Sequence, residues 1–202
     1  MLFRSLTRHP KSRIAILSHD PSIVGKGALL GDRATMIYAQ DDRVFMRSLA
    51  TRGRAGGLAG ETKRWLARLK RGFDVVFIET VGIGQEAAPF GGPRSVVAAS
   101  RERTRRSASL QSAIPVDASV LVMSPEYGAR LQLQKIAMLE LADIVVINKS
   151  DMPGAKTASA EVGERLSKKQ RLLTTCAKRH RDVGVDKLFE CLTQTKTNGG
   201  AQ

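Results

Sequence analysis

The sequence is short of aromatic residues, of cysteine and of acidic residues, and it contains no long apolar segment. Aromatic residues make up only 4% of the chain, so the core must be built from aliphatic side chains. The two cysteines, Cys176 and Cys191, have no pairing pattern or metal-ligand spacing, which favours a reduced, cytoplasmic setting. No apolar run approaches the roughly eighteen residues that a membrane helix needs, so we expect no association with a membrane.

The shortage of acidic residues leaves the chain strongly basic. Lysine and arginine number 33 against 19 aspartates and glutamates, a formal net charge of +14, and such an excess often indicates a nucleic-acid partner. Much of the excess lies in two segments, 1–13 and 94–106, and no aromatic residue interleaves with the arginines of 94–106 to stack on bases. A basic nucleic-acid-binding protein is therefore an alternative hypothesis that the composition does not favour.

A chain of 202 residues with 42% hydrophobic content is long enough to bury the core of one α/β domain. Short β-branched apolar runs without alternation are typical of parallel strands that are covered on both faces. Such runs occupy residues 14–17, 75–78, 120–123 and 144–147. Helical patterns occupy residues 61–70, 131–141, 155–166 and 185–192. Residues 1–13, at the start of the chain, have the pattern of the end of an amphipathic helix. The order of these elements predicts the α/β class, a mostly parallel sheet flanked by helices.

The predicted domain covers residues 1–192. Within it, residues 91–115 carry no convincing strand and are rich in arginine and serine. Because compact domains seldom contain structureless loops beyond ~12–15 residues, we expect this stretch to be an inserted, exposed and poorly ordered loop. Residues 193–202 are expected to form a flexible tail.

The strongest motif is Asn148-Lys149-Ser150-Asp151, which directly follows a predicted buried strand. An aspartate carboxylate can accept hydrogen bonds from both the ring N–H and the amino group of guanine, and adenine offers no such pair of donors. The asparagine is expected to tie neighbouring loops, and the lysine stem to pack on the base. A polar turn between a strand and a helix is the alternative interpretation of these four residues.

A second loop, Thr175-Cys176-Ala177-Lys178, follows a short apolar run near the end of the chain. It is similar to the Ser-Ala-Lys loop whose backbone N–H contacts the guanine oxygen, and a backbone contact tolerates cysteine in place of serine. Cys176, Ala177 and Lys178 are therefore predicted to contact the nucleotide. A catalytic role for the Cys176 thiol is the rival interpretation, but no histidine–acid set is evident around it.

Acidic residues follow two other predicted strands, where ligands bind in parallel sheets. Glu79 and Thr80 end one strand and lead into a glycine-containing segment, in which Gly82 could meet a γ-phosphate and Gln85 could orient a water molecule. Asp20 and Asp32 frame another glycine-rich segment. Oxygen ligands suit Mg²⁺, so Asp20, Asp32, Glu79 and Thr80 are the predicted metal residues. The phosphate-loop pattern G-x-x-x-x-G-K-[ST] does not occur in the sequence.

These motifs together resemble one family, the GTPases that protect and load adenosylcobalamin-dependent acyl-CoA mutases, and most of all the G domain built into fused isobutyryl-CoA mutase. The segments that carry the resemblance are 27–33, 45–52, 79–90, 123–151 and 178–182. The resemblance implies GTP hydrolysis coupled to cofactor delivery, with GTP or GDP and Mg²⁺ as ligands and cobalamin reached only through the partner mutase. It implies a P-loop NTPase-like fold, with Asn148, Lys149 and Asp151 reading guanine.

Two departures from the family pattern change the expected activity. The family's first strand and phosphate loop should precede Ile14, so residues 1–192 are expected to form a truncated G domain that lacks both, and residues 92–114 look inserted. Because the backbone N–H groups and the lysine of that loop supply most of the phosphate binding, this polypeptide alone is expected to bind GTP weakly and to have negligible GTPase activity.

An acyl-CoA mutase (isomerase) fragment is an alternative in a different class. The sequence has no cobalamin-binding Asp-x-His-x-x-Gly pattern and no room for a substrate barrel, so mutase activity is excluded for these residues. The predicted partner is therefore a separate or fused acyl-CoA mutase, and a homodimer stays open.

Overall fold

The protein is described from a computed structural model. The structure describes residues 2–20, 38, 40–52, 57–80, 90–91, 114–125, 139 and 141–197. Two compact units divide the chain, Leu2–Glu86 and one formed mainly by Ala87–Gln202. The prediction of one domain over residues 1–192 stays a prediction. Among the described residues, no helix is long and apolar enough to cross a bilayer.

The first unit contains a parallel three-stranded sheet. Its elements are α1 (Leu2–Arg8), β1 (Ile14–Asp20), β2 (Val44–Ala50), α2 (Thr62–Leu69) and β3 (Val75–Glu79). The strand order is β2-β1-β3, so β1 is central, and this explains why Ile14, Ala15 and Leu17 are fully buried. Helix α2 covers one face of the sheet through Leu69, which lies in the cluster of Ala15 and Leu17.

Strand β2 is a long strand that the apolar runs did not predict. Arg47 and Ser48 interrupt its hydrophobic sequence, so it lacks a continuous run of the kind found at 14–17, 75–78, 120–123 and 144–147. The structure explains the arginine, because the Arg47 guanidinium lies over the Trp65 ring at 4.0 Å from the centroid. A cation–π contact of this kind lets a charged residue occupy a sheet position beside an aromatic side chain.

The second unit contains two short strands that pair with each other, β4 (Phe90–Gly91) and β5 (Ile114–Pro115), and another parallel three-stranded sheet. The sheet and its helices are β6 (Val120–Met123), β7 (Ile144–Ile147), α3 (Ala155–Gly163), β8 (Arg171–Thr174) and α4 (Val183–Thr197), and the strand order is β6-β7-β8. Strands β4 and β5 lie at the two ends of the predicted inserted loop, and residues 92–113 lie outside the described part.

Helices cover both faces of the central strand β7. Val145 and Ile147 pack in a cluster with Val162 of α3, and Ile144 and Val146 pack with Leu188 of α4. All four residues of β7 are buried, as expected for a strand inside a doubly covered parallel sheet. The predicted α/β class with parallel strands flanked by helices is confirmed.

Two helical predictions differ from the structure in their extent. Helix α4 continues through Thr193 into the segment predicted to be a flexible tail, and the Thr193 hydroxyl lies 3.1 Å from the Phe189 carbonyl oxygen. Helix α3 ends at Gly163, before the predicted end at Leu166. Most of the helix predicted at 131–141 lies outside the described residues, although Leu139 and Leu141 are helical.

Candidate functional site

Two polar loops leave the sheet of the second unit side by side. Strands β7 and β8 are parallel neighbours, with Ile147 opposite Thr174. The loops that follow them, 148–151 and 175–178, therefore start at the same edge of the sheet. This is the edge at which parallel sheets bind ligands, because the loops after adjacent strands meet there.

Backbone hydrogen bonds hold the two loops together. The Thr175 N–H donates to the Ile147 carbonyl at 2.9 Å, and the Ser150 N–H donates to the Thr175 carbonyl at 2.9 Å. Lys149, in the first of these loops, adopts φ 57°, a left-handed conformation that residues other than glycine seldom take. Such a conformation costs about 1–2 kcal/mol and persists where surrounding bonds fix it, which often happens at functional sites.

The Asn148 side chain links its own loop to the neighbouring one. Its Oδ1 atom accepts a hydrogen bond from the Thr175 hydroxyl at 3.0 Å and another from the Ala177 N–H at 3.1 Å. Thr175 is buried, so this bond satisfies a hydroxyl that water does not reach. The arrangement is the cross-loop tie expected of the asparagine. The same asparagine oxygen also accepts the Ala177 N–H, which belongs to the loop whose backbone is predicted to contact the guanine oxygen.

The Asp151 carboxylate has a partner on each oxygen. The Cys176 thiol donates to Oδ1 at 3.0 Å, and the Lys178 ammonium forms an ion pair with Oδ2. These contacts, that of Lys178 first, lower the pKa of Asp151 to about 2. The hydrogen bond to Asp151 raises the pKa of the Cys176 thiol, so at neutral pH the sulfur carries the proton that it donates.

A cavity of about 270 Å³ lies between the two loops. Its lining consists of Asn148, Lys149, Asp151, Met152, Cys176, Ala177 and Lys178. The lining combines an ionised carboxylate with a thioether and lysine stems, which suits a flat heterocycle that presents N–H donors at its edge. All six predicted nucleotide-binding residues of the two loops are thus brought together in one pocket, and that this pocket binds guanine stays a prediction.

Sequence reasoning missed two features of this pocket. Met152 follows the motif and carried no polar signal, so nothing in the sequence marked it as a lining residue. The bond from the Cys176 thiol to Asp151 is the other, because the predicted nucleotide contact rested on the backbone alone and the rival interpretation of the thiol was a catalytic one. A signal did exist, since Cys176 occupies the place of the serine hydroxyl in the Ser-Ala-Lys loop that it resembles.

Three of the four predicted metal residues, Asp20, Glu79 and Thr80, lie at the carboxyl edge of the other sheet. Asp20 ends β1 and Glu79 ends the neighbouring strand β3, with Thr80 directly after it. The Ser18 hydroxyl donates to Glu79 Oε2 at 2.9 Å. The buried His19 ring donates from Nδ1 to the Glu79 carbonyl at 2.7 Å, and its own pKa is lowered by burial. The first bond orients the Glu79 carboxylate, and the second fixes the backbone where the strand leads into Thr80.

The donor set at this edge fits Mg²⁺ only in part. The carboxylates of Asp20 and Glu79 and the hydroxyl of Thr80 are the oxygen ligands that Mg²⁺ prefers, with water completing its shell. The described residues contain no ready cluster of three histidine, cysteine or acidic side chains for a metal. Asp32, Gly82 and Gln85 lie outside the described residues.

That the predicted magnesium residues and the predicted guanine loops serve one nucleotide stays a prediction. Asp20, Glu79 and Thr80 belong to the first unit, whereas the pocket around Asp151 belongs to the second.

Comparisons with known proteins agree with the motifs. The family model described as "Methylmalonyl Co-A mutase-associated GTPase MeaB" matches residues 2–89 and 108–197. The fused isobutyryl-CoA mutase of Geobacillus kaustophilus is 35% identical over 95% of this chain, and that of Cupriavidus metallidurans is 36% identical over 89%. The chain spans only 17% and 16% of the lengths of these two relatives.

A solved structure supports the fold independently of sequence similarity. HypB from Helicobacter pylori, determined in complex with nickel, matches with a TM-score of 0.59 at 17% identity, covering 100% of this chain and 83% of that one. At that identity the likeness concerns the fold alone. The match of the family model over most of the chain, together with these relatives, shows that the chain belongs to the family of methylmalonyl-CoA mutase-associated GTPases, MeaB.

Proposed function

We propose that this chain binds guanine nucleotides in the pocket between the loops after β7 and β8. The observation that carries the proposal is the ionised Asp151 carboxylate, held at the pocket wall by Cys176 and Lys178. One of its oxygens would accept the guanine ring N–H and the other the amino group. Adenine presents an unprotonated ring nitrogen at the matching place, so it would leave the charged carboxylate without a donor.

We propose further that the first unit carries residues for magnesium and phosphate. Asp20, Glu79 and Thr80, with Asp32, would hold Mg²⁺ directly or through water, and the ion would neutralise phosphate charge. Gly82 and Gln85 would lie at the γ-phosphate and the attacking water. Because the phosphate-loop pattern is absent from the sequence, the 202 residues alone would bind GTP weakly and hydrolyse it negligibly.

The biological role that we propose is that of a GTPase chaperone domain for an adenosylcobalamin-dependent acyl-CoA mutase in the cytoplasm. The family match and the similarity to fused isobutyryl-CoA mutases support this partner. Cobalamin would be reached only through that mutase. The two free cysteines, of which Cys176 is buried, are consistent with a reducing compartment.

The test of guanine binding is a calorimetric titration of GDP and ADP, with Mg²⁺, into the full chain and into the variant Asp151→Asn. The substitution replaces an acceptor oxygen by an N–H₂ donor facing the donors of guanine, and should weaken GDP binding by about 1.5–3 kcal/mol, the value of hydrogen bonds to charged groups. It should also improve binding of xanthosine diphosphate, whose 2-oxo group accepts a hydrogen bond.

Asp117→Asn provides a matched control, because Asp117 is an exposed carboxylate outside the pocket lining. It should bind GDP as the unmodified chain does. Equal affinity for GDP and ADP, or an Asp151→Asn variant that binds GDP normally, would contradict the proposed function.

A further inference from the structure

The two partners of the Asp151 carboxylate differ sharply in exposure. Cys176, on Oδ1, is only 1% exposed, and its thiol is enclosed beneath the loop. The Lys178 side chain, on Oδ2, is 72% exposed, and its long stem reaches the carboxylate from the solvent side. One partner is thus part of the packed interior, and the other can leave at little cost in packing.

A purine edge with two adjacent N–H donors needs both carboxylate oxygens. Oδ1 can accept a second hydrogen bond beside the thiol, because each carboxylate oxygen has two acceptor sites. Oδ2 also has a second acceptor site, but the Lys178 ammonium that occupies the first one belongs to an exposed side chain that lines the cavity, so it lies on the side from which a base would enter. We propose that Lys178 is a place-holder: its ammonium occupies the position at Asp151 that a guanine donor takes, and the incoming base must displace it while Cys176 stays. This inference rests on the proposed guanine site.

The place-holder gives Lys178 a role opposite to that of a simple nucleotide contact. Before a base binds, the ammonium keeps the carboxylate ionised and oriented, and the contact raises the pKa of Lys178 as it lowers that of Asp151. When a neutral nucleoside binds, the ion pair must break. Exposed ion pairs of this kind compete weakly, by about two- to five-fold in affinity.

The dependence of binding on salt distinguishes a place-holder at Lys178 from a lysine that simply contacts the nucleotide. Exposed ion pairs are screened as ionic strength rises, so the competitor weakens in salt. Guanosine carries no phosphate, so its binding has no attraction to phosphate-binding cations that salt would reduce. The inference therefore predicts that guanosine affinity increases with salt, the reverse of the usual trend for nucleotides.

The experiment measures guanosine binding by ligand-observed NMR at about 20 mM and about 300 mM salt, near the ends of the screening range. It uses the full chain, Lys178→Met and the control Lys169→Met. Methionine keeps an apolar stem without the charge. Lys169 is an exposed lysine that does not line the pocket. Lys178→Met should bind guanosine about two- to five-fold more tightly at low salt and lose the salt dependence, whereas Lys169→Met should behave as the unmodified chain.

An NMR titration of the Asp151 carboxyl carbon in the same three proteins tests the contact with Lys178 separately from the proposed guanine site. Cys176 is present in all three, so its influence on the pKa of Asp151 is constant. Lys178→Met should raise the pKa of Asp151 from about 2. An unchanged titration, or weaker guanosine binding in Lys178→Met with the salt dependence intact, overturns the place-holder. Failure of all three proteins to bind guanosine overturns the guanine site, and the inference with it, even where the titration shifts.

Discussion

The substitution Gly184→Ala should disrupt the packing of helix α4 on strand β8, the strand that leads into the loop 175–178. Gly184 lies in the first turn of α4, where a Cβ atom would come within 1.8 Å of the Thr174 carbonyl oxygen and 3.0 Å of Asp182 Oδ1. The obstructing atom belongs to the backbone of β8, so it cannot rotate aside as a side chain would. The helix must move away from the strand, and the Asp182 cap on the Val185 N–H at 2.8 Å must shift with it.

Overpacking that forces backbone shifts typically costs about 1–3 kcal/mol, and a 1.8 Å contact with backbone places this variant at or above the upper end. Urea unfolding followed by circular dichroism measures the change. Thr174 immediately precedes Thr175, so guanosine affinity should fall together with the free energy of unfolding.

Gly163→Ala is the matched control for this prediction. Gly163 is the last residue of α3, and a Cβ there would lie 3.5 Å from Leu172 Cδ2, an ordinary van der Waals contact. Because alanine favours the helix, this variant should be neutral or more stable by about 0.5–1 kcal/mol. Equal stability of the two variants would refute the packing of α4 on β8 described above.

Two further predictions concern the polar side chains of the pocket. Asn148→Ala removes the acceptor of the buried Thr175 hydroxyl, so it should lower the free energy of unfolding by about 1–3 kcal/mol and abolish guanosine binding. A variant whose midpoint of urea unfolding is unchanged would contradict the hydrogen bond between the two loops. Asp151 has a folded-state pKa of about 2, below its ordinary 3.8, so it favours the folded state at pH above about 4, and that contribution disappears as the pH falls towards 2. A carboxyl-carbon titration of Asp151 with a midpoint near 3.8 would show that the ion pair with Lys178 does not form in solution.

The sequence predicted the framework of the second unit well because its signals were local. The run 144–147 is short and apolar at every position, a pattern that is typical of a strand covered on both faces. A polar motif after such a strand lies at the sheet edge, which is where the structure has Asn148 and Asp151. The pairing of β7 with β8, which brings the second loop beside them, comes from the structure.

Details that depend on tertiary contacts could not be predicted in the same way. Strand β2 was missed because the stacking of Arg47 on Trp65 joins residues far apart in the sequence. The left-handed Lys149 and the Lys178–Asp151 pair depend on how the two loops meet, and no periodicity encodes that. The thiol bond from Cys176 to Asp151 likewise required coordinates, since it joins residues 25 positions apart.

The most direct test of the account is residue-resolved NMR of the ¹⁵N-labelled chain during titration with GDP and, separately, with ADP. The account predicts that GDP shifts the amide signals of Asp151, Met152 and Ala177 first and most strongly, and that ADP at the same concentration leaves them in place. Shifts of equal size with ADP, or GDP shifts confined to residues outside the loops after β7 and β8, would contradict the guanine pocket.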